Sequence, residues 1–172
     1  MPGRPYCIQK EKYLKTVEME KRIVDEDISL VPWYENEEVA LSWYQDPQLC
    51  KQVDNIDFVY DSERLGNMYR YLNANGYCYY IEYKGKLVGD IALLKQGEIC
   101  LVICREYQNR HIGRKCTLNL LQMAREMGYE KVKANIYSFN TQSRKMFEAV
   151  GFRQIADEWY ECSTSEAGKD EN

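Results

Sequence analysis

Residues 98–128 read EICLVICREYQNRHIGRKCTLNLLQMAREMG, and the spacing of apolar residues changes inside this stretch. The run 98–104 is almost continuously apolar, which is typical of a β-strand buried on both faces. From Ile112 to Met127 the apolar residues follow helical spacing, and Gly128 marks the helix end. The apolar stripe consists of Cys116, Leu120, Leu121, Ala124 and Met127. The stretch therefore predicts a strand, a loop and an amphipathic helix.

The rest of the chain alternates between strand-like and helix-like patterns. Strands are predicted at 13–19, 22–33, 77–83, 87–94 and 131–137, with a strand pair or one bent strand at 152–162, and helices at 35–44, 61–76 and 141–150. Lys84-Gly85-Lys86 is the turn of a hairpin, and Asp46-Pro47 is interpreted as a break after the first helix. The segment 98–137 suits a parallel crossover. This order predicts an α/β (α+β) fold with one mixed, mostly antiparallel central sheet and about four helices.

The loop between the quoted strand and helix is rich in basic residues and holds His111, the only histidine of the chain. The first amide N–H groups of a helix have no partners within the helix and favour an anion, phosphate above all. Gly113 allows a ligand to approach the backbone, and Arg110 and Arg114 add positive charge. These features indicate an anion site, although an ordinary loop with solvated basic side chains accounts for the same residues.

The composition is that of a single globular domain. The chain has 172 residues, of which 45% are hydrophobic. We place the domain at 13–162, between a flexible leader at 1–12 and a disordered polar tail at 163–172. The net charge of -4 disfavours nucleic acid and anionic membranes as partners. No apolar run approaches the roughly 18 residues of a membrane span, and no signal peptide is evident, so we expect a cytoplasmic protein.

The seven cysteines do not suggest a metal centre. Their spacing is irregular, no CxxC occurs, and a single histidine cannot complete a Cys/His zinc set. We therefore predict no metal site and expect small, buried, apolar side chains at these positions.

Two motifs resemble landmarks of the GNAT superfamily of N-acetyltransferases. Residues 108–113, QNRHIG, resemble the acetyl-CoA signature Gln/Arg-x-x-Gly-x-Gly/Ala, with His111 at the first glycine position. Residues 140–152, NTQSRKMFEAVGF, are similar to the second landmark, in which Asn, a small residue, an aromatic residue and Gly-Phe recur at this spacing. The resemblance covers 75–162 firmly and 22–74 loosely. It implies the GNAT fold, with splayed parallel strands at the site of the co-substrate acetyl-CoA.

The resemblance also assigns residues to the binding of acetyl-CoA. The loop would cradle the pyrophosphate, mainly through backbone amides, with Gln108, Asn109, Arg110, His111, Ile112, Gly113 and Arg114. The strand residues Leu101, Val102 and Ile103 would pair with pantetheine. Asn140 matches a residue of the family that contacts the cofactor, and it also suits a plain helix N-cap. On this assignment His111 lies far from the thioester and is a loop residue rather than a catalyst.

Catalysis needs a base for the amine, and an acid near the sulfur is optional. By resemblance the base is Glu98; a solvated glutamate at a strand end is the alternative. Phe147 stands where the family commonly has a tyrosine near the cofactor sulfur, so another donor, such as Tyr137, is needed if an acid acts. Trp33 and Tyr34, with acidic neighbours, are candidates for binding a cationic amine, or are core aromatics.

The sequence therefore favours an enzyme that moves an acetyl group from acetyl-CoA to a primary amine. The acceptor is a small molecule or a protein N-terminus, attack is direct in a ternary complex, and the protein is a monomer or homodimer. A non-catalytic acyl-CoA-binding or sensor domain on the same fold is the alternative, motivated by Phe147 and His111. A phosphate-binding module unrelated to coenzyme A is a third hypothesis.

Overall fold

The computed structural model describes residues 19–165, which form two β-sheets with helices packed around them. The first sheet has the order β1-β2-β3-β4-β5, with every neighbouring pair antiparallel. Its strands are Arg22–Ile23, Ile28–Pro32, Gly76–Tyr83, Lys86–Leu94 and Ile99–Ile103. The second sheet has the order β6-β8-β7, from Lys131–Asn135 (β6), Arg153–Ala156 (β7) and Trp159–Ser163 (β8). The α-helices of this part of the chain are α1 Glu37–Tyr44, α2 Pro47–Asp54, α3 Ser62–Asn75, α4 Ile112–Glu126 and α5 Thr141–Val150.

The two sheets meet at one parallel bridge between Glu98 and Lys133. The Lys133 amide donates to the Gly97 carbonyl over 2.8 Å, and beyond this bridge β5 and β6 separate. The mixed, mostly antiparallel fold with splayed parallel strands is therefore confirmed, and the separation is wide enough to divide the strands into two sheets. It leaves β5 at the edge of the first sheet.

The helix ends and the hairpin form where the local sequence predicts them. The Asp61 carboxylate accepts a hydrogen bond from the Arg64 amide (2.8 Å) and caps α3. Asn140 caps α5 in the same way through the Ser143 amide, at 3.2 Å. The hairpin of β3 and β4 turns at Lys84 and Gly85, both with positive φ (49° and 80°), which fits the turn preferred by antiparallel hairpins.

Helix α2 was not predicted. Asp46-Pro47 ends α1 as expected, but it also begins the next helix: the Asp46 side chain accepts from the Gln48 amide (3.0 Å), and Pro47 occupies the first helical position. Proline is well suited to that position because its missing N–H has no helical partner to lose.

Two other expectations are modified, and a third is not covered by the described residues. Strand β5 is not buried on both faces, because Cys100, Leu101 and Ile103 are only half-buried at the edge of the sheet. The domain continues past residue 162: β8 ends at Ser163, and Thr164 is buried with its hydroxyl donating to the Tyr129 carbonyl over 2.7 Å. The predicted leader at 1–12 and the strand at 13–19, apart from Met19, lie outside the described residues.

Two apolar cores pack on opposite faces of the first sheet. One core lies between the sheet and α4, with contributions from α5 and the second sheet. The other lies under α1, α2 and α3, and includes Ala92 and Leu94 of β4.

The described cysteines are buried or half-buried, in line with the expectation of small apolar side chains. The buried ones are Cys50, Cys78, Cys116 and Cys162, and the half-buried ones are Cys100 and Cys104. No helix of residues 19–165 is both long and apolar enough to cross a membrane.

Candidate active site

A cavity of about 590 Å³ lies where the loop 107–114 meets β5 and α5, and we call it the loop cavity. Leu101, Val102 and Ile103 of β5 form one wall, and Gly113 in the first turn of α4 lies against it. The first amides of α4 have no helical acceptors, since the first helical bond runs from the Lys115 amide to the His111 carbonyl. The loop cavity therefore combines a helix N-terminus with an edge strand.

A second cavity of about 370 Å³ lies on the other side of Leu101 and Val102. Three carboxylates line it, those of Asp54, Asp90 and Glu98, and we call it the acidic cavity. Aromatic lining comes from Tyr44, Tyr60, Tyr137, Phe147 and Trp159. The two cavities share Gln52, Val53, Leu101, Val102, Asn140 and Ser143, so they meet at β5 where it separates from β6.

The two cavities have opposite charge. Arg114 and Lys145 line the loop cavity, and no Asp or Glu is among the described residues that line it. The acidic cavity has its three carboxylates and no Lys or Arg among its described lining residues. An anionic ligand is therefore favoured on one side of β5 and a cationic ligand on the other.

The predicted loop residues are brought together, with one exception. Gln108, Asn109, His111, Ile112, Gly113 and Arg114 line the loop cavity. Arg110 does not; its guanidinium lies over the Tyr107 ring, 4.9 Å from the ring centroid. The Gln108 side chain donates to the Ile103 carbonyl (2.9 Å), so it also holds the loop against the end of β5.

His111 adopts a left-handed backbone conformation, with φ 63° and ψ 9°, at the N-cap of α4. Asn109 has φ 62°. Left-handed residues are usually glycine, which explains in physical terms the glycine that the acetyl-CoA signature has at the position of His111. His111 fills a place in the loop at the cost of backbone strain.

We expect His111→Gly to stabilise the protein. A non-glycine residue in this conformation costs about 1–2 kcal/mol, and the extra freedom of glycine in the unfolded chain offsets about 0.4–1 kcal/mol of the gain. Urea denaturation should show a net rise in the free energy of unfolding. His111→Ala is the matched control: it removes the imidazole but keeps the strain, and should show no gain. Equal stabilisation by both variants would assign the effect to the imidazole.

Asn140 lies between the two cavities. Its side-chain oxygen caps α5, and its amide nitrogen donates to the Gln52 carbonyl at 3.3 Å. The N-cap role is present, and the same side chain lies at the junction where the sequence placed a cofactor contact.

The catalytic candidates of the sequence both line the acidic cavity. Burial raises the pKa of Glu98, and burial raises the pKa of Tyr137. Phe147 lies in the acidic cavity rather than the loop cavity, 5% exposed, with its ring edge-on to Phe152 at 5.0 Å. It has no proton to donate, whereas the Tyr137 hydroxyl does.

Trp33 and Tyr34 line neither of these cavities. The Trp33 ring packs on Tyr69, with centroids 5.4 Å apart, and Tyr34 is 48% exposed beside a separate open groove. The structure therefore does not bring these two predicted substrate residues to the junction.

Sequence reasoning missed Asp90. This carboxylate is 2% exposed, in the middle of β4. Burial raises its pKa to about 6, although hydrogen bonds from Tyr44 and Tyr69 act in the opposite direction. The sequence did contain a signal. Asp90 is a charged residue in a strand, and the residues two and four positions later, Ala92 and Leu94, are apolar and face the same core.

Comparison with known proteins gives a family and a fold. The profile of the Acetyltransferase (GNAT) family matches residues 33–152. An acetyltransferase from Agrobacterium tumefaciens str. C58 superposes with a TM-score of 0.71 at 14% identity, over 84% of this chain and 95% of that one. A domain from Methanocaldococcus jannaschii DSM 2661 gives 0.70 at 23% identity, over 81% and 99%. A spermidine N-acetyltransferase from Vibrio cholerae, in complex with CoA and spermine, gives 0.67 at 12% identity, over 82% and 98%.

Proposed function

Because the chain belongs to the GNAT family of acetyltransferases, we propose that it transfers the acetyl group of acetyl-CoA to a primary amine. The acceptor is a small-molecule amine or a protein N-terminus, and both substrates are bound at the same time. One observation carries the proposal: two cavities of opposite charge meet at the edge of β5. An anionic co-substrate and a cationic acceptor would each enter from the side that attracts it.

The loop cavity suits acetyl-CoA. The first amides of α4, with Arg114 and Lys145 nearby, would hold the pyrophosphate. The exposed edge of β5 at Leu101, Val102 and Ile103 would hydrogen-bond to pantetheine, as the resemblance to the family implies. Bound acetyl-CoA would supply the activated thioester carbonyl that the amine attacks.

The acidic cavity suits an amine that arrives as an ammonium ion. Its carboxylates would attract the cation, and Tyr137 and Trp159 at the same cavity would pack against the alkyl chain. The ammonium must lose a proton before its nitrogen can attack, since it has no lone pair, and a carboxylate of this cavity would act as the base. Glu98, the base that the sequence predicts, remains a candidate because it lies in this cavity with a raised pKa.

A non-catalytic acyl-CoA-binding domain is the second candidate. Phe147 favours it, because a phenyl ring occupies the position at which the family commonly has an acid. A thiolate whose conjugate thiol has a pKa of about 8.5 can leave without an acid, so Phe147 does not rule out turnover.

The cytoplasmic location of the protein stays a prediction.

We expect acetyl-CoA to raise the melting temperature of the protein. A ligand that binds only the folded state at 100 times its dissociation constant stabilises by about 2.7 kcal/mol. ATP, which has phosphates but no pantetheine, is the control and should give a smaller shift. A flat response to millimolar acetyl-CoA would remove both candidate functions.

Release of free thiol from acetyl-CoA, measured with a panel of primary amines, separates the two candidates. We expect release that depends on the amine, and no release with the corresponding N-acetylated amines. Binding of acetyl-CoA without release for any amine would leave the binding domain as the function.

A further inference from the structure

Asp90 is a buried carboxylate that lines the acidic cavity and is held by two phenols. The hydroxyls of Tyr44 and Tyr69 donate to it over 2.7 Å and 2.8 Å. Both bonds end on the same oxygen, Oδ2. Neither phenol donates to the other carboxylate oxygen, Oδ1. Oδ1 can therefore accept a hydrogen bond or a proton from a ligand in the acidic cavity.

The register of the sheet places Asp90 at the junction of the two cavities. Asp90 lies directly opposite Val102 in the antiparallel pair of β4 and β5, and Val102 lines both cavities. The Cα atoms of such partners are about 4.5–5.5 Å apart, and their side chains point to the same face. That face is the one under α1 and α3, which carry Tyr44 and Tyr69.

Glu98 lies farther from this junction. Its carbonyl accepts from the amide of Leu94, which lies four residues beyond Asp90 on β4. With a rise of about 3.4 Å per residue, the backbone positions of Asp90 and Leu94 differ by about 14 Å along the strand. Asp90 and Glu98 therefore lie toward opposite ends of the acidic cavity, and Asp90 is the one beside Val102.

We infer that Asp90 is the carboxylate that receives the proton of the acceptor ammonium, with Tyr44 and Tyr69 holding it in position. This inference rests on the proposed function. The ammonium N–H passes its proton to Oδ1, and the freed lone pair attacks the thioester carbonyl carbon. The new N–C bond forms and the C–S bond breaks, so that coenzyme A leaves as thiolate. The second proton of the nitrogen goes to the thiolate, and the proton on Asp90 is returned to solvent through the cavity.

The acid–base properties of Asp90 fit this role. Its raised pKa, about 6, leaves it ionised at neutral pH and yet a better base than an exposed aspartate. The titratable groups around it are Tyr44 on α1, Tyr69 on α3, Cys78 and Tyr80 on β3 and Cys100 on β5, with Asp54 and Glu98 along the same cavity. Burial raises the pKa of each of these phenols and thiols, so none of them competes with Asp90 as a base at neutral pH.

The first test uses Asp90→Asn, with Glu98→Gln as the matched carboxylate-to-amide control. With a primary amine that the parent acetylates, we expect kcat to fall by about 10²-fold or more in Asp90→Asn and by less in Glu98→Gln. The thermal shift with acetyl-CoA should be unchanged. Binding of the same amine to the protein loaded with coenzyme A, measured by calorimetry, should weaken about 10-fold in Asp90→Asn. Full turnover and full amine binding in a folded Asp90→Asn variant would overturn the inference.

The second test uses Tyr69→Phe, and it does not depend on the buried asparagine being tolerated. Each phenol lowers the pKa of Asp90 by donating to its charged form, so loss of one donor must raise that pKa. The acid limb of kcat/KM, expected near pH 6 in the parent, should therefore move to higher pH. Tyr80→Phe is the control, because Tyr80 lies opposite Asp90 on β3, whereas the phenols hydrogen-bonded to Asp90 are those of Tyr44 and Tyr69.

The outcomes separate this inference from the proposed function. Suppose that the parent is active but the acid limb of its kcat/KM profile does not move in Tyr69→Phe, or moves only in Glu98→Gln. The proposed function then stands, and the role of Asp90 is overturned. A parent that releases no thiol with any amine overturns both.

Discussion

The substitution Gly89→Ala is expected to lower the unfolding free energy by about 3 kcal/mol, the upper part of the usual range for overpacking. A Cβ atom at this position would lie 2.0 Å from the Val102 carbonyl oxygen and 3.0 Å from its carbonyl carbon. Both are backbone atoms of β5, so no side chain can rotate away to make room. The strands β4 and β5 would have to separate, and β5 is the strand that forms the wall between the two cavities.

The same movement should impair the site as well as the fold. Asp90 follows Gly89 and pairs with Val102, so separation of the strands displaces the carboxylate from the junction. We expect weaker binding of acetyl-CoA in whatever fraction of Gly89→Ala stays folded. Urea denaturation measures the first effect, and a thermal shift with acetyl-CoA measures the second.

Gly66→Ala is the matched control for this prediction. Gly66 lies within α3, where an added Cβ meets only the end of the flexible Arg70 side chain, at 3.1 Å. Alanine in a helix interior is about 0.5–1 kcal/mol more favourable than glycine, so this variant should be as stable as the parent or more stable. Similar stability of both variants would show that β4 and β5 do not approach each other as closely as the structure describes.

The parts of the fold that the sequence predicted are those set by local interactions. Helix α3 begins at a capping aspartate, Asp61, and the hairpin turns at Lys84 and Gly85, where the glycine adopts positive φ without steric cost. Helix α2 was missed because Asp46-Pro47 can end one helix and begin another, and only the tertiary position of the next residues decides between the two. The division into two sheets depends on how far β6 separates from β5, which no local pattern encodes.

The candidate site shows the same limit. The loop residues were predictable because a helix N-terminus and its preceding turn are continuous in sequence. The group around Asp90 is not continuous: Tyr44 and Tyr69 reach it from sequence separations of 46 and 21 residues. Trp33 was a candidate either for the acceptor site or for the core, and its ring packs on Tyr69, because aromatic rings are stabilised in a core as well as in a ligand site.

The substitution Gly113→Val is expected to weaken the binding of acetyl-CoA at least 10-fold, or about 1.4 kcal/mol. Gly113 lies in the first turn of α4 and faces the wall of the loop cavity. A Cβ atom there would lie 3.2 Å from Leu101 Cδ2, 3.7 Å from Ile103 Cγ1 and 3.9 Å from Met146 Cε. A single methyl group can be accommodated by a small shift of the Leu101 side chain. The valine side chain has few χ1 rotamers available in a helix. Its two further methyl groups would therefore extend into the cavity or push α4 away from β5.

The effect on the fold should be smaller than the effect on binding. Valine in a helix costs at most about 0.7 kcal/mol relative to alanine, and the neighbours of Gly113 are side chains rather than backbone. Gly113→Ala is the control: it should bind acetyl-CoA nearly as well as the parent, because its one methyl group stays within van der Waals reach of Leu101. Calorimetric titration with acetyl-CoA and urea denaturation of both variants measure the two quantities separately. A folded Gly113→Val variant with the affinity of the parent would mean that acetyl-CoA does not approach the start of α4, and that the anion site lies elsewhere on the protein.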